Sequence, residues 1–147
     1  MTSDLLARAV LPERVVIDGL GKRVVPHTED DLILELTQID ATVREQGQPL
    51  IATLYADRDA TGPPLLSIGL GAGEAFWFIP VAGVKTRVVT YSKGPRPDDG
   101  SEVAFRYGTG FSEYLGWMLI PKQTAYVAAI EFFRTGQRPT SVEWADL

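Results

Sequence analysis

The sequence has no cysteine and a single histidine, His27. The first absence excludes disulfides, thiolate zinc sites, iron–sulfur ligation and thiol nucleophiles together, and it fits a reducing compartment. The second excludes a metal site built on two or more histidines of one chain. Positive charge is in deficit: 14 Lys and Arg stand against 19 Asp and Glu, a net charge of −5. Such a surface repels phosphate backbones, so direct nucleic-acid binding is not expected. No apolar run approaches the ~20 residues of a membrane-spanning helix, and no membrane partner is expected. The segment from Met1 to Leu6 lacks the basic start of a secretory leader, and Arg8, Glu13 and Arg14 cut the apolar stretch after it. The expected location is the cytoplasm.

What is present is ordinary for a globular protein. The 147 residues are 45% hydrophobic and 22% charged, which fits one domain over residues 1–147. A chain of this length buries roughly 68–70% of its unfolded surface and needs no disulfide or metal to fold. Residues 14–17 and 22–25 flank a turn signal, Asp18 to Gly21, and predict a small hairpin. Thr28 then caps a helix whose first turn carries Glu29, Asp30 and Asp31, with Leu32, Leu36, Ile39 and Val43 along one stripe. Gly47 and Pro49 stop it.

Strands are predicted over residues 50–56, 65–70, 75–80, 87–91 and 102–107, with a short one over 142–144. In the 102–107 segment Val103, Phe105 and Tyr107 share one face, and Glu102, Ala104 and Arg106 the other. A second helix begins with Pro121 at its first position, buries Ala125, Ala128, Ala129 and Phe132, and ends at Gly136. Strands on short turns with helices kept apart predict an α+β fold: an antiparallel sheet of five to six strands, with two main helices on one face.

Several constellations invite chemistry and are better read as structure. The glycines at 69, 71 and 73 resemble a phosphate loop. However, the third comes one residue early for a dinucleotide fingerprint, and residues 74–80 read as strand. They read as a turn. His27 precedes a helix with no nucleophile motif aimed at it and reads as a surface or capping residue. The acidic clusters Asp57/Asp59, Asp98/Asp99 and Glu29–Asp31 lack calcium-loop spacing and sit in turns or at a cap. No catalytic residue, metal or cofactor is assigned.

The aromatics point further. Trp77 lies between Phe76 and Phe78, and Tyr114 and Trp117 flank Leu115 and Gly116 just after Glu113. Trp and Tyr anchor protein interfaces, and net negative charge steers encounters with basic proteins. Asp57, Asp59, Asp98, Asp99, Glu113, Trp77, Tyr114 and Trp117 are therefore the expected contacts with a protein partner.

Gly108 to Gly110, the aromatic-rich residues 111–117, Ile120–Pro121, Ala125, Ala129, Glu131–Phe132, residues 135–139 and Val142 to Trp144 together resemble family one of the bacterial immunity proteins. Residues 65–71 and 75–79 resemble that family's central hairpin, so the likeness spans about residues 50–147. These proteins are encoded beside polymorphic toxins, often in actinobacteria. The resemblance implies a small cytoplasmic α+β protein that binds and neutralises one cognate toxin. With no catalytic constellation in the sequence it is expected not to be an enzyme, and with no sequence mark of dimerisation it is expected to be a monomer or weak homodimer. It would bind a cognate, basic toxin, a nucleic-acid deaminase or nuclease, and occlude its active site. The alternatives are a small-molecule or lipid-binding domain with a cavity lined by Phe76, Phe78 and Phe105, and an enzyme with two facing carboxylates.

Overall fold

A computed structural model describes residues 10–18, 21–60, 64–71, 75–79, 90–107 and 109–145, with the backbone alone for 75–79. In chain order the elements are β1 (Val15–Ile17), β2 (Arg23–Val24), α1 (Glu29–Gln46), β3 (Leu50–Tyr55), β4 (Leu65–Leu70) and β5 (Ala75–Ile79). They continue with β6 (Thr90–Lys93), β7 (Glu102–Tyr107), β8 (Gly110–Leu115), a 3-10 turn (Gly116–Met118), α2 (Lys122–Thr135) and β9 (Glu143–Ala145).

The class is α+β and the sheet is mostly antiparallel. Among the described residues nine strands join it, in the order β2-β1-β3-β4-β5-β6-β9, with β7 on β3 and β8 on β7. That is more than the five to six the sequence pattern predicts. The excess comes from β1 and β2, whose predicted hairpin joins the same sheet, and from β8, which the sequence pattern does not place as a strand. One pairing is parallel: Leu50 of β3 bridges Arg106 of β7, whose N–H donates to the Pro49 carbonyl at 2.7 Å. It arises because β1 covers only Thr53 to Tyr55 of that edge and leaves the Leu50 end open. Residues 87–89 and Pro80, placed in strands by the sequence pattern, lie outside the described residues.

α1 forms as its sequence dictates. The Thr28 hydroxyl accepts the Asp31 N–H at 3.1 Å, and Gly47 closes the helix in the left-handed region at φ 69°. Leu32 and Leu36 are fully buried, each contributing roughly 1.5–3 kcal/mol. α2 starts one residue after Pro121, which is its N-cap. It buries Ala125, Ala128, Ala129, Phe132 and Phe133.

Both helices pack on the sheet face formed by Val16, Leu50, Ala52, Leu54, Leu66, Ile68 and Leu70. Two ion pairs, Asp40–Lys122 and Glu29–Arg134, join the helices in antiparallel alignment, and Arg44 of α1 adds to the first. Asp40 accepts from Lys122 Nζ at 2.9 Å and from Arg44 Nε at 3.0 Å. Burial pushes the Asp40 carboxyl up, but the hydrogen bonds and charges of Lys122 and Arg44 outweigh it and hold Asp40 below its ordinary value.

The opposite sheet face carries a second, smaller core of Ile51, Phe105, Tyr114, Met118 and Leu119. It lies under the β7–β8 hairpin and the 3-10 turn, which fold back over the sheet. Gly94 permits this closure: its N–H donates to the Trp117 carbonyl at 2.7 Å, and a β-carbon there would collide with the Leu119 carbonyl.

Candidate functional site

The β7–β8 hairpin pairs Glu102 with Leu115, Ala104 with Glu113, Phe105 with Ser112, and Tyr107 with Gly110. Side chains alternate across a strand, so Val103, Phe105 and Tyr114 turn toward the sheet and Glu102, Ala104, Phe111 and Glu113 turn away. The burial agrees: Phe105 and Tyr114 are buried, whereas Glu102, Ala104 and Glu113 are exposed and Phe111 is 64% exposed. Glu102 and Glu113 are diagonal neighbours on the outer face. The hydrogen bond between their carboxyls, and then the repulsion of the Glu113 charge, hold Glu102 above its ordinary value.

The acidic turns occupy two different places. Asp57 and Asp59 follow β3, where Asp57 Oδ1 accepts the Asp59 N–H at 3.0 Å. Asp98 and Asp99 precede β7, and Asp99 Oδ1 accepts the Ser101 N–H at 2.9 Å. Hydrogen bonding from the Ser101 side chain, and then from its N–H, holds the Asp99 carboxyl below its ordinary value. β6 runs parallel to β4 through the antiparallel β5, so the loop after β6 leaves the sheet at the Leu50/Leu70 end. Asp57 and Asp59 leave at the other end, about 20 Å away along a six-residue strand. The fold therefore groups Asp98, Asp99, Glu102 and Glu113, and sets Asp57 and Asp59 apart beside Arg58.

The aromatic expectations divide. Tyr114 is corrected: at 2% exposure it is a core residue, its ring edge-on to Phe105 at 5.3 Å and to Tyr91 at 6.3 Å. The strand alternation that exposes Glu113 turns Tyr114 inward. Trp117 is half-buried and lines a cavity of about 370 Å³ with Lys93, Arg96, Pro97 and Asp98. The Trp77 side chain lies outside the described residues; its backbone pairs with Ser67 and Tyr91. Glu102 and Phe111 join the exposed face without having been singled out. The alternation of residues 102–107 puts Glu102 outward, but only the register with β8 brings Glu113 and Phe111 beside it.

The remaining constellations are structural where they are described. Gly69 lies in β4 under the Phe105 ring, and Gly71 turns the chain at φ 103°; Gly73 lies outside the described residues. His27 is exposed, and its carbonyl accepts the Leu11 N–H at 2.9 Å. Among the described residues no three His, Cys, Asp or Glu side chains converge on a cation position. Among the described residues no helix is long and apolar enough to cross a membrane. Phe105 is fully buried, with its ring against Gly69 and Tyr114; the Phe76 and Phe78 side chains lie outside the described residues. A groove of about 440 Å³ beside α1 is lined by side chains of both charges, including Asp18, Lys22 and Glu35.

The C-terminal residues that carry the resemblance hold the fold. Glu131 accepts from the Thr140 N–H and hydroxyl at 2.6 and 2.8 Å and from the Ser141 N–H at 3.1 Å. Burial pushes its carboxyl up, but these bonds outweigh it and hold the group below its ordinary value. The Trp144 indole N–H donates to the Pro139 carbonyl at 2.8 Å, and the Arg138 guanidinium lies 5.6 Å over the indole ring. Gly136 ends α2 in the left-handed region, next to Arg14, which donates to the Phe133 carbonyl at 2.9 Å and the Ala56 carbonyl at 2.7 Å.

No curated protein matches this chain. Residues 21–146 match the family described as Immunity protein Imm1.

Proposed function

The chain belongs to the Imm1 family of immunity proteins, and on that premise we propose that it neutralises one cognate toxin by covering its active site. The toxin is a nucleic-acid deaminase or nuclease with a basic substrate groove. The observation that carries this reading is the match over residues 21–146, together with a net charge of −5. A groove shaped for phosphates attracts such a surface, and charge complementarity raises the encounter rate.

Asp98, Asp99 and Glu113 make the contact, with Trp117 beside them. Asp57 and Asp59, at the far end of the sheet, act on the approach and not in the interface. The protein works in the cytoplasm as a monomer, in a 1:1 complex, and transforms no substrate. Co-expression tests this directly. Cells producing the toxin domain encoded by the neighbouring gene survive when this chain is present and die when it is absent. Death in both cases would contradict the proposal.

A further inference from the structure

The hydrogen bonds of the β7–β8 hairpin alternate, and their phase can be read from two bonds. Gly116 N–H donates to the Ser101 carbonyl at 2.8 Å, whereas Arg106 N–H is spent on Pro49, away from β8. In an antiparallel ladder bonded pairs recur every second residue. Residues 112 and 114 therefore exchange bonds with β7, while the N–H and C=O groups of Phe111 and Glu113 point to the other edge. Among the described residues β8 pairs with β7 alone.

An unpaired edge is a template for another strand, and proteins usually blunt it with proline, lysine or a bulge. The β8 sequence, Gly110–Leu115, has no proline or lysine, and its one charge is Glu113. The outer face of the β7–β8 hairpin carries Phe111, 64% exposed, and the adjacent carboxylates of Glu102 on β7 and Glu113 on β8.

We propose that the free edge of β8 is where the toxin docks: an extended, basic toxin segment adds to it as a further strand. Main-chain bonds to Phe111 and Glu113 supply the pairing, an Arg or Lys sits between Glu102 and Glu113, and an apolar side chain covers Phe111. This rests on the toxin-binding reading above. Charge selects the occupant. A second copy of this chain would bring another Glu102 and Glu113 toward carboxyls that already repel each other. A basic segment relieves that repulsion.

Amide hydrogen exchange tests the pairing, with the purified toxin domain encoded by the neighbouring gene as the probe. In the free chain the amides of Ser112 and Tyr114 are protected, and those of Phe111 and Glu113 exchange rapidly. Saturating toxin slows Phe111 and Glu113 by at least about 100-fold and leaves the alternate amides as they were. A stable complex with Phe111 and Glu113 unprotected would overturn this inference and leave toxin binding intact. Absence of any complex would overturn both. Protection that rises with the concentration of this chain alone would identify a second copy as the occupant and also overturn it. Glu113→Pro removes an outward N–H with no ladder bond to lose, and it weakens toxin binding at least about 10-fold more than Glu113→Gln. Equal loss in both would assign the contact to charge alone and contradict strand addition.

Discussion

The ring of Phe105 lies over the backbone of Gly69 so closely that a β-carbon at 69 would stand 2.7 Å from it. This contact seats the β7–β8 hairpin on the second face of the sheet. It also explains one glycine of the run that resembles a phosphate loop: Gly69 is there to admit an aromatic ring. Gly69→Ala is expected to cost about 1–3 kcal/mol, the range for overpacking a filled core. Adding Phe105→Leu should recover part of that loss. Urea unfolding of the two single variants and the double variant checks this, and strictly additive losses would contradict it.

Tyr114 offers a test of the opposite sign. Its hydroxyl is buried with no hydrogen-bond partner among the described residues, and burial pushes its ionisation far above the ordinary phenol value. An unmatched buried hydroxyl contributes nothing favourable. Tyr114→Phe should leave stability unchanged or raise it by up to about 1 kcal/mol, and toxin affinity should not move. A clear loss of affinity with stability intact would return Tyr114 to the interface.

Acid should destabilise the protein through Asp40 and Glu131, whose carboxyls are held below their ordinary values. A depressed folded pKa contributes stability that is present above the unfolded value, about 4, and lost as pH falls through the folded value. Glu102 runs the other way: its raised value contributes in acid and fades as pH rises. It is exposed, so the two depressed groups dominate. Urea midpoints should hold from neutrality to about pH 5 and fall below about pH 4. Asp40→Asn with Glu131→Gln should flatten that fall, at a cost near neutrality of about 1–3 kcal/mol for each site.

Charge removal tests the electrostatic steering. Asp57 and Asp99 each accept a backbone N–H two residues on, so asparagine keeps both turns while removing the charge. Replacing Asp57, Asp59, Asp98 and Asp99 by asparagine should slow association with the toxin by about 3–10-fold at low salt and flatten its salt dependence. Stopped-flow kinetics reads both quantities. Unchanged association would remove the electrostatic part of the proposal.

Local chemistry was legible where a residue's role depends on its neighbours in sequence. Thr28, Gly47 and the stripe from Leu32 to Val43 place α1 correctly, because capping and helical period are short-range. Alternation in residues 102–107 places Phe105 inside and Glu102 outside. What stayed hidden depends on distant partners. β8 reads as an aromatic-rich segment because its pairing with β7 makes it a strand, and the same register buries Tyr114 while exposing Glu113. Arg14 looks like a surface charge until α2 ends beside it, 119 residues on. Asp40 looks like a solvated helix residue until Lys122 arrives from the other helix.

The most direct measurement is a titration of the toxin domain's nucleic-acid-modifying activity with this purified chain, repeated at several substrate concentrations. Activity should fall linearly to zero at one equivalent when binding is tight, and rising substrate should slow the onset of inhibition, as competition for one groove requires. Loss of activity at far less than one equivalent, with a chemically altered toxin or substrate recovered, would mean that this chain is a catalyst and would contradict the account.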